Sequence, residues 1–211
     1  PMARKHAIFV RLHKKLLTLL SEPRAGQLTF FNCAAMLNHL YRYTVRQELQ
    51  EGPFRFLPEK PAAFFPGTFD PFSVGHKQIV QEIRARGFEV YLAVDEFSWS
   101  KKTLPKLLRR RIVSISVADQ WDTYLFPDDI PVNIAMPDDL SRLQSLFAGR
   151  ELYLVAGSDV IRNASAYRST QPGSAAEYNH IIFYRGEDAD SGRQDFSSLI
   201  RGKLRVLTLP A

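Results

Sequence analysis

The stretch from Ala62 to Val80, AAFFPGTFDPFSVGHKQIV, constrains this chain more than any other. Ala62, Ala63, Phe64 and Phe65 form a short apolar run of the kind that becomes a buried strand. Pro66-Gly67 ends the run, and Thr68-Phe69-Asp70-Pro71 carries the chain around a turn. Beyond Val74-Gly75-His76, the residues Ile79, Val80 and Ile83 recur at helical spacing. A strand, a small-residue turn and a helix start in direct succession gather free backbone N–H groups and the positive end of a helix dipole at one point. That geometry receives anions, phosphate above all.

From Pro61 onward the hydrophobic pattern alternates between strand and helix. It predicts strands at 62–66, 88–94, 131–136, 152–156, 179–184 and 204–209. Helices are predicted over 75–86, 105–121 and 138–147, with a short one after Gly157-Ser158-Asp159. Gly87 reads as the residue closing the first of these helices, where a positive φ costs glycine little. Alternation of this kind implies βαβ units, right-handed crossovers and a parallel sheet. The expected fold class is therefore α/β, a Rossmann-like parallel sheet flanked by helices. Ligands of such sheets bind beyond the carboxyl ends of the strands, where the strand order reverses. The turn after the first strand and Gly157-Ser158-Asp159 after a later one both belong there.

Residues 1–60 read differently. Ile8, Phe9, Leu12, Leu16, Leu19 and Leu20 lie on one helical face, and a second helix is predicted over 29–51. Gly52-Pro53 stops it, and 54–61 is a proline-bounded connector. The expected division is an N-terminal helical extension at 1–60 and the α/β domain at 61–211. His39 and Tyr41 read as packing or surface residues rather than ligands. The first residue, Pro1, suggests a piece of a longer chain whose upstream part would own this helical pair.

Composition narrows the function classes. The single cysteine, Cys33, excludes a disulfide within the chain and is compatible with a reducing cytoplasm. No run of about 18 apolar residues exists, so no membrane span is expected. Arg11, His13, Lys14 and Lys15 interrupt the N-terminal apolar pattern too soon for a signal-peptide core, and a cytoplasmic protein is expected. A net charge of +6 suggests anionic partners, yet no zinc-finger spacing, RNA-binding aromatic motif or basic heptad marks a nucleic-acid module. An anion held at the turn after the first strand would explain part of the excess.

GTFDPFSVGH resembles the GxFDPxxxGH signature of the nucleotidyltransferases that carry an HxGH or TxGH motif. It matches at Gly67, Phe69, Asp70, Pro71, Gly75 and His76, with Ser73 where that superfamily has His or Thr. Three further segments extend the likeness. Ser98-Trp99-Ser100-Lys101-Lys102-Thr103-Leu104-Pro105 resembles the lysine-bearing loop, which leads into a helix carrying Arg109-Arg110-Arg111. Those three arginines cannot all face one site. Gly157-Ser158-Asp159, with Tyr167 and Arg168 downstream, resembles the GxD…W(K/R) segment of the pyridine-nucleotide adenylyltransferases. Ser197-Ser198-Leu199-Ile200-Arg201 resembles the SSTxIR triphosphate motif, but Leu199 replaces threonine and Gly202 follows. That reads as a coincidence, which would put an authentic motif past Ala211.

The resemblance implies transfer of AMP from ATP to nicotinate or nicotinamide mononucleotide with release of pyrophosphate. A phosphopantetheine adenylyltransferase-like enzyme and a non-catalytic nucleotide-binding module of a larger protein remain alternatives, the former favoured by Ser73. Implied roles are His76 as hydrogen-bond donor to the phosphates, Ser73 beside it, and Lys101 or Lys102 neutralising phosphate charge. Gly67, Thr68, Phe69 and Gly75 would give close backbone approach, with Asp70 fixing the turn. Gly157, Ser158 and Asp159 would lie against nucleotide, Tyr167 would stack near the pyridine ring, and Arg168 would follow it. ATP with Mg²⁺ bridging its phosphates is implied, without a dedicated protein metal site. The expected partners are small nucleotides, with no membrane and no specific nucleic acid.

Overall fold

The computed structural model describes residues 60–95, 103–184 and 196–207, together with Leu37, Asn38, Leu40, Tyr41, Arg42, Val45, Arg46 and Leu49. The predicted first helix and His39 lie outside the described residues. Among those described, six strands form one parallel sheet. They are β1 (Ala62–Gly67), β2 (Glu89–Val94), β3 (Thr123–Leu125), β4 (Leu152–Gly157), β5 (Asn179–Phe183) and β6 (Leu204–Leu207). The helices are α1 (Val74–Ala85), α2 (Lys106–Ser116), α3 (Pro137–Leu146) and α4 (Ser158–Asn163), and none of the described helices is long and apolar enough to cross a membrane. The strands lie in the order β3-β2-β1-β4-β5-β6, every pair parallel. The order reverses between β1 and β4, and this switch point fixes where a ligand can lie.

Strand β1 is apolar throughout because both its faces are covered. Ala63 and Phe65 pack with Ile79, Val80 and Ile83 of α1 and Val113 of α2. Phe64 points the other way, toward Leu140 and Leu143 of α3 and, edge to face at 5.1 Å, onto Phe126. The period-2 alternation of one strand therefore serves two cores. Gly87, with φ 84°, follows the Arg86 cap of α1 as expected.

Two boundaries differ from the sequence expectation. The strand expected at 131–136 is irregular, and Thr123–Leu125 pairs with β2 instead, Tyr91 opposite Tyr124. Val132 and Ile134 alternate like a strand, but Pro131 lacks the N–H a ladder needs, and the edge of β2 is already occupied. The helix expected to reach 121 ends at Ser116, and residues of the N-terminal region bond the carbonyls at and beyond its end. Arg42 donates to Val117 O at 2.6 Å, Ser114 O at 3.3 Å and Thr123 O at 3.0 Å. Asn38 Nδ2 donates to Val117, Ala118 and Gln120 carbonyls. A cation at a helix C-terminus meets both the orphan carbonyls and the negative end of the dipole. Tyr41 adds stacking on Tyr124 at 6.4 Å, the packing role expected of it.

Candidate functional site

The loops after β1, β2, β3 and β4 enclose a cleft of about 950 Å³ at the strands' carboxyl ends. Its floor at the switch point is the turn Gly67–Pro71, with Gly157, Asp159 and Val160 facing it from the β4 side. The two segments singled out in the sequence thus meet at one crevice, although some 90 residues separate them.

The turn is built around the Phe69 ring. Phe69 adopts φ 48°, a left-handed conformation that costs a non-glycine residue about 1–2 kcal/mol. Burial of its ring, only 3% exposed, offsets this. The ring lies against Gly67, where a Cβ would stand 3.0 Å from it, so the G-x-F spacing is a packing requirement. Phe69, Phe72 and Phe65 surround the His76 imidazole, with ring centroids at 5.3, 5.4 and 6.5 Å.

Ser73 is the N-cap of α1, and His76 closes a reciprocal capping box with it. His76 N–H donates to Ser73 Oγ at 3.4 Å, and Ser73 N–H donates to His76 Nδ1 at 3.0 Å. A backbone amide can only donate, so Nδ1 carries the lone pair and the ring proton resides on Nε2. Ser73 Oγ lies 2.9 Å from the same Nδ1. The hydroxyl thus holds the imidazole and the helix end, and Ser73 is not among the cleft-lining residues while His76 is.

Asp70, exposed at the rim, accepts the Leu104 N–H at 3.0 Å. It ties the turn to the loop entering α2. Gly157 has the same logic as Gly67: a Cβ there would stand 2.3 Å from Asp159 Oδ1. That oxygen is buried and has no hydrogen-bond partner among the described residues. The carboxylate folds back over the glycine in the first turn of α4, where the helix dipole favours negative charge.

The remaining expected site residues fall in different places. Thr68 lines the cleft; Gly75 and Ser158 do not, Gly75 being exposed on α1 and Ser158 fully buried. Lys101 and Lys102 lie outside the described residues. Tyr167 requires a correction. Its ring is 4% exposed and belongs to the core, where its hydroxyl donates to His180 Nε2 at 3.1 Å. Helix α4 lasts only six residues, and the 3₁₀ turn Ser165–Tyr167 swings the ring inward. Arg168 is exposed and donates to Arg162 O at 3.2 Å, away from the cleft. The segment Ser197 to Arg201 starts no helix and precedes β6 rather than following the last strand. Arg201 pairs with Glu177 at 3.2 Å, and none of the five residues lines the cleft. At Gly202 a Cβ would stand 2.2 Å from Tyr178 O, so the glycine answers a close chain crossing.

Several cleft residues escaped the sequence reading. Asp95, the residue after β2, lines the cleft, and burial raises its carboxyl to about 6 against the opposing pull of Arg109 and Lys106. Its place at a strand's carboxyl end, two positions from the switch point, was the available signal. Phe126, Ile130, Val132 and Ile134 form an apolar wall, and Lys106 at the rim pairs with Asp128 at 3.6 Å. Of the three consecutive arginines, Arg109 is fully buried, Arg110 pairs with Asp128 at 2.9 Å, and Arg111 is exposed. Among the described residues no group of three or more His, Cys, Asp or Glu could cage a metal ion. Mg²⁺ carried by a triphosphate needs only one or two carboxylates, and Asp95 and Asp159 are among the aspartates that line the cleft.

A sequence model of the cytidylyltransferase-like family matches residues 64–191, more than half of the chain. Two solved structures share the fold. One is Plasmodium falciparum nicotinic acid mononucleotide adenylyltransferase complexed with NaAD, at TM-score 0.55 and 20% identity. The other is the same enzyme complexed with APC, at TM-score 0.53 and 19% identity. Each alignment covers 72% of this chain and 76% of the other. No match was found among curated proteins.

Proposed function

The chain belongs to the cytidylyltransferase-like family, and on that premise we propose that it transfers AMP from ATP to nicotinate or nicotinamide mononucleotide. The acceptor's phosphate oxygen attacks the α-phosphorus of ATP. The bond from that phosphorus to the bridging oxygen breaks, and pyrophosphate leaves with the electron pair. Such chemistry is catalysed by alignment and by donors placed where negative charge grows.

His76 is the donor for which the geometry is best defined. Its Nδ1 is occupied by the Ser73 N–H, so Nε2–H is the donor the ring offers to a phosphate oxygen. That one bond carries the reading: it holds the tautomer and aims the ring from the α1 N-terminus at the cleft. The backbone of Gly67, Thr68 and Phe69 and the dipole of α1 add positive potential beside it. Asp159 lines the opposite wall, at the start of α4 beyond β4, and in this reading the nucleotide lies against it. Mg²⁺ bound with the triphosphate would neutralise phosphate charge, and Asp95 and Asp159, which line the cleft, are the carboxylates that would hold it.

One observation favours a second acceptor. The aromatic expected to stack on a pyridine ring, Tyr167, is in the core. This removes part of the likeness of segment 157–168 to the pyridine-nucleotide adenylyltransferases, leaving Gly157 and Asp159 at the cleft while Ser73 favours phosphopantetheine. Pyrophosphate release from ATP, assayed with each acceptor in turn, decides. Turnover with nicotinate or nicotinamide mononucleotide supports the first reading, and turnover with phosphopantetheine alone replaces it. ATP binding without turnover of any acceptor points to a non-catalytic nucleotide-binding module.

A further inference from the structure

Arg109 is the largest fully buried side chain among the described residues, and it sits directly behind the cleft. Its guanidinium gathers three loop carbonyls. Nε donates to Leu104 O at 2.8 Å, Nη2 to Asp95 O at 2.9 Å, and Nη1 to Thr68 O. Two other bonds close the circuit: Leu104 N–H to Asp70 Oδ2 at 3.0 Å, and Asp95 N–H to Gly67 O at 3.0 Å. The turn after β1, the end of β2 and the approach to α2 are thus fastened at one point.

The bond to Thr68 has a consequence for the turn. The Thr68–Phe69 peptide is trans, so its carbonyl and its N–H point to opposite sides. Holding Thr68 O on the buried side turns the Phe69 N–H away from it. Among the described residues the Phe69 and Asp70 amides donate to nothing. A peptide in this turn would otherwise be free to flip, since Phe69 is already in a sparsely populated conformation.

We propose that Arg109 is a positioning residue. It locks the Thr68–Phe69 peptide so that the Phe69 N–H is presented to a phosphate oxygen, and it ties that orientation to the β2–α2 loop. The inference rests on the reading that the turn receives the phosphates of ATP.

The test uses the full chain with Arg109→Lys and Arg109→Gln, measuring ATP affinity by calorimetry, kcat and KM for pyrophosphate release, and Tm. Lysine or glutamine can satisfy only part of the three-carbonyl set. The expected result is an ATP Kd raised about tenfold and kcat/KM lowered about 10²-fold in protein still folded at the assay temperature. A role confined to stability would lower Tm and leave both unchanged, and that outcome overturns the proposal. Should both variants fail to fold, Phe69 is replaced by its α-hydroxy acid, which deletes the N–H and keeps Arg109. An ATP affinity unaltered by that ester overturns the proposal, and a loss of about tenfold supports it. Wild-type protein that binds no ATP overturns the functional reading and this inference together.

Discussion

Acidification should destabilise this protein through one buried imidazole, and the size of the effect can be worked out from its surroundings. His180, on β5, is fully buried. Its Nδ1–H donates to Tyr178 O at 2.8 Å, and its Nε2 accepts the Tyr167 hydroxyl at 3.1 Å. A carbonyl can only accept, so the tautomer is determined, and protonating Nε2 would break the bond from Tyr167 inside the core. Burial, partly opposed by the Tyr178 carbonyl, lowers His180 from its ordinary 6.5 to about 4. Below pH 6.5 the unfolded chain binds a proton that the folded protein refuses. Stability is therefore complete above pH 6.5 and declines as pH falls toward 4. At pH 4.5 the loss is about 2.5 kcal/mol, a large part of the roughly 5–15 kcal/mol that holds a domain together. Urea unfolding of wild type and His180→Gln between pH 7 and pH 4.5 measures it. Carboxylates titrate alike in both proteins, so the change in their stability difference belongs to His180. A difference that stays constant across this range, or an imidazole seen by NMR to titrate near 6.5, refutes the reasoning.

Other expectations test the site and its supports. His76→Ala should slow pyrophosphate release by about 10²–10³-fold, as for loss of one transition-state donor, and cost about 1 kcal/mol of stability through the lost half of the capping box; an unchanged rate removes His76 from the chemistry. Gly202→Ala drives a Cβ to 2.2 Å from Tyr178 O and 2.7 Å from Asn179 N. Backbone must shift to admit it, so calorimetry should show a loss beyond about 4 kcal/mol; near-neutral behaviour would mean the crossing is not that close. Arg42→Met strips donors from the carbonyls of Ser114, Val117 and Thr123. A cost of about 2–3 kcal/mol is expected in denaturant titration, and a cost below about 0.5 kcal/mol would show that water replaces the guanidinium there.

Local pattern and local chemistry made much of this protein legible from sequence. The apolar run at 62–65, the turn of small residues and the helical spacing of Ile79, Val80 and Ile83 depend on neighbours a few residues away. They predict β1, the turn and α1, and the alternation that follows predicts a parallel sheet and places 67–71 and 157–159 at its carboxyl edge. Long-range competition decided the rest. Pairing with β2 went to Thr123–Leu125 rather than to the alternating Val132 and Ile134, because the partner edge can be occupied only once. Tyr167 left the cleft because His180, brought alongside by β5, offered its hydroxyl a buried acceptor. In the sequence Arg109 is one of three consecutive arginines that cannot all face one site. Only the convergence of three loop carbonyls, from residues 68, 95 and 104, makes it a strut. Periodicity reports which face a residue turns toward the core, whereas what it meets there is set by strand order and loop closure, which no window of sequence contains.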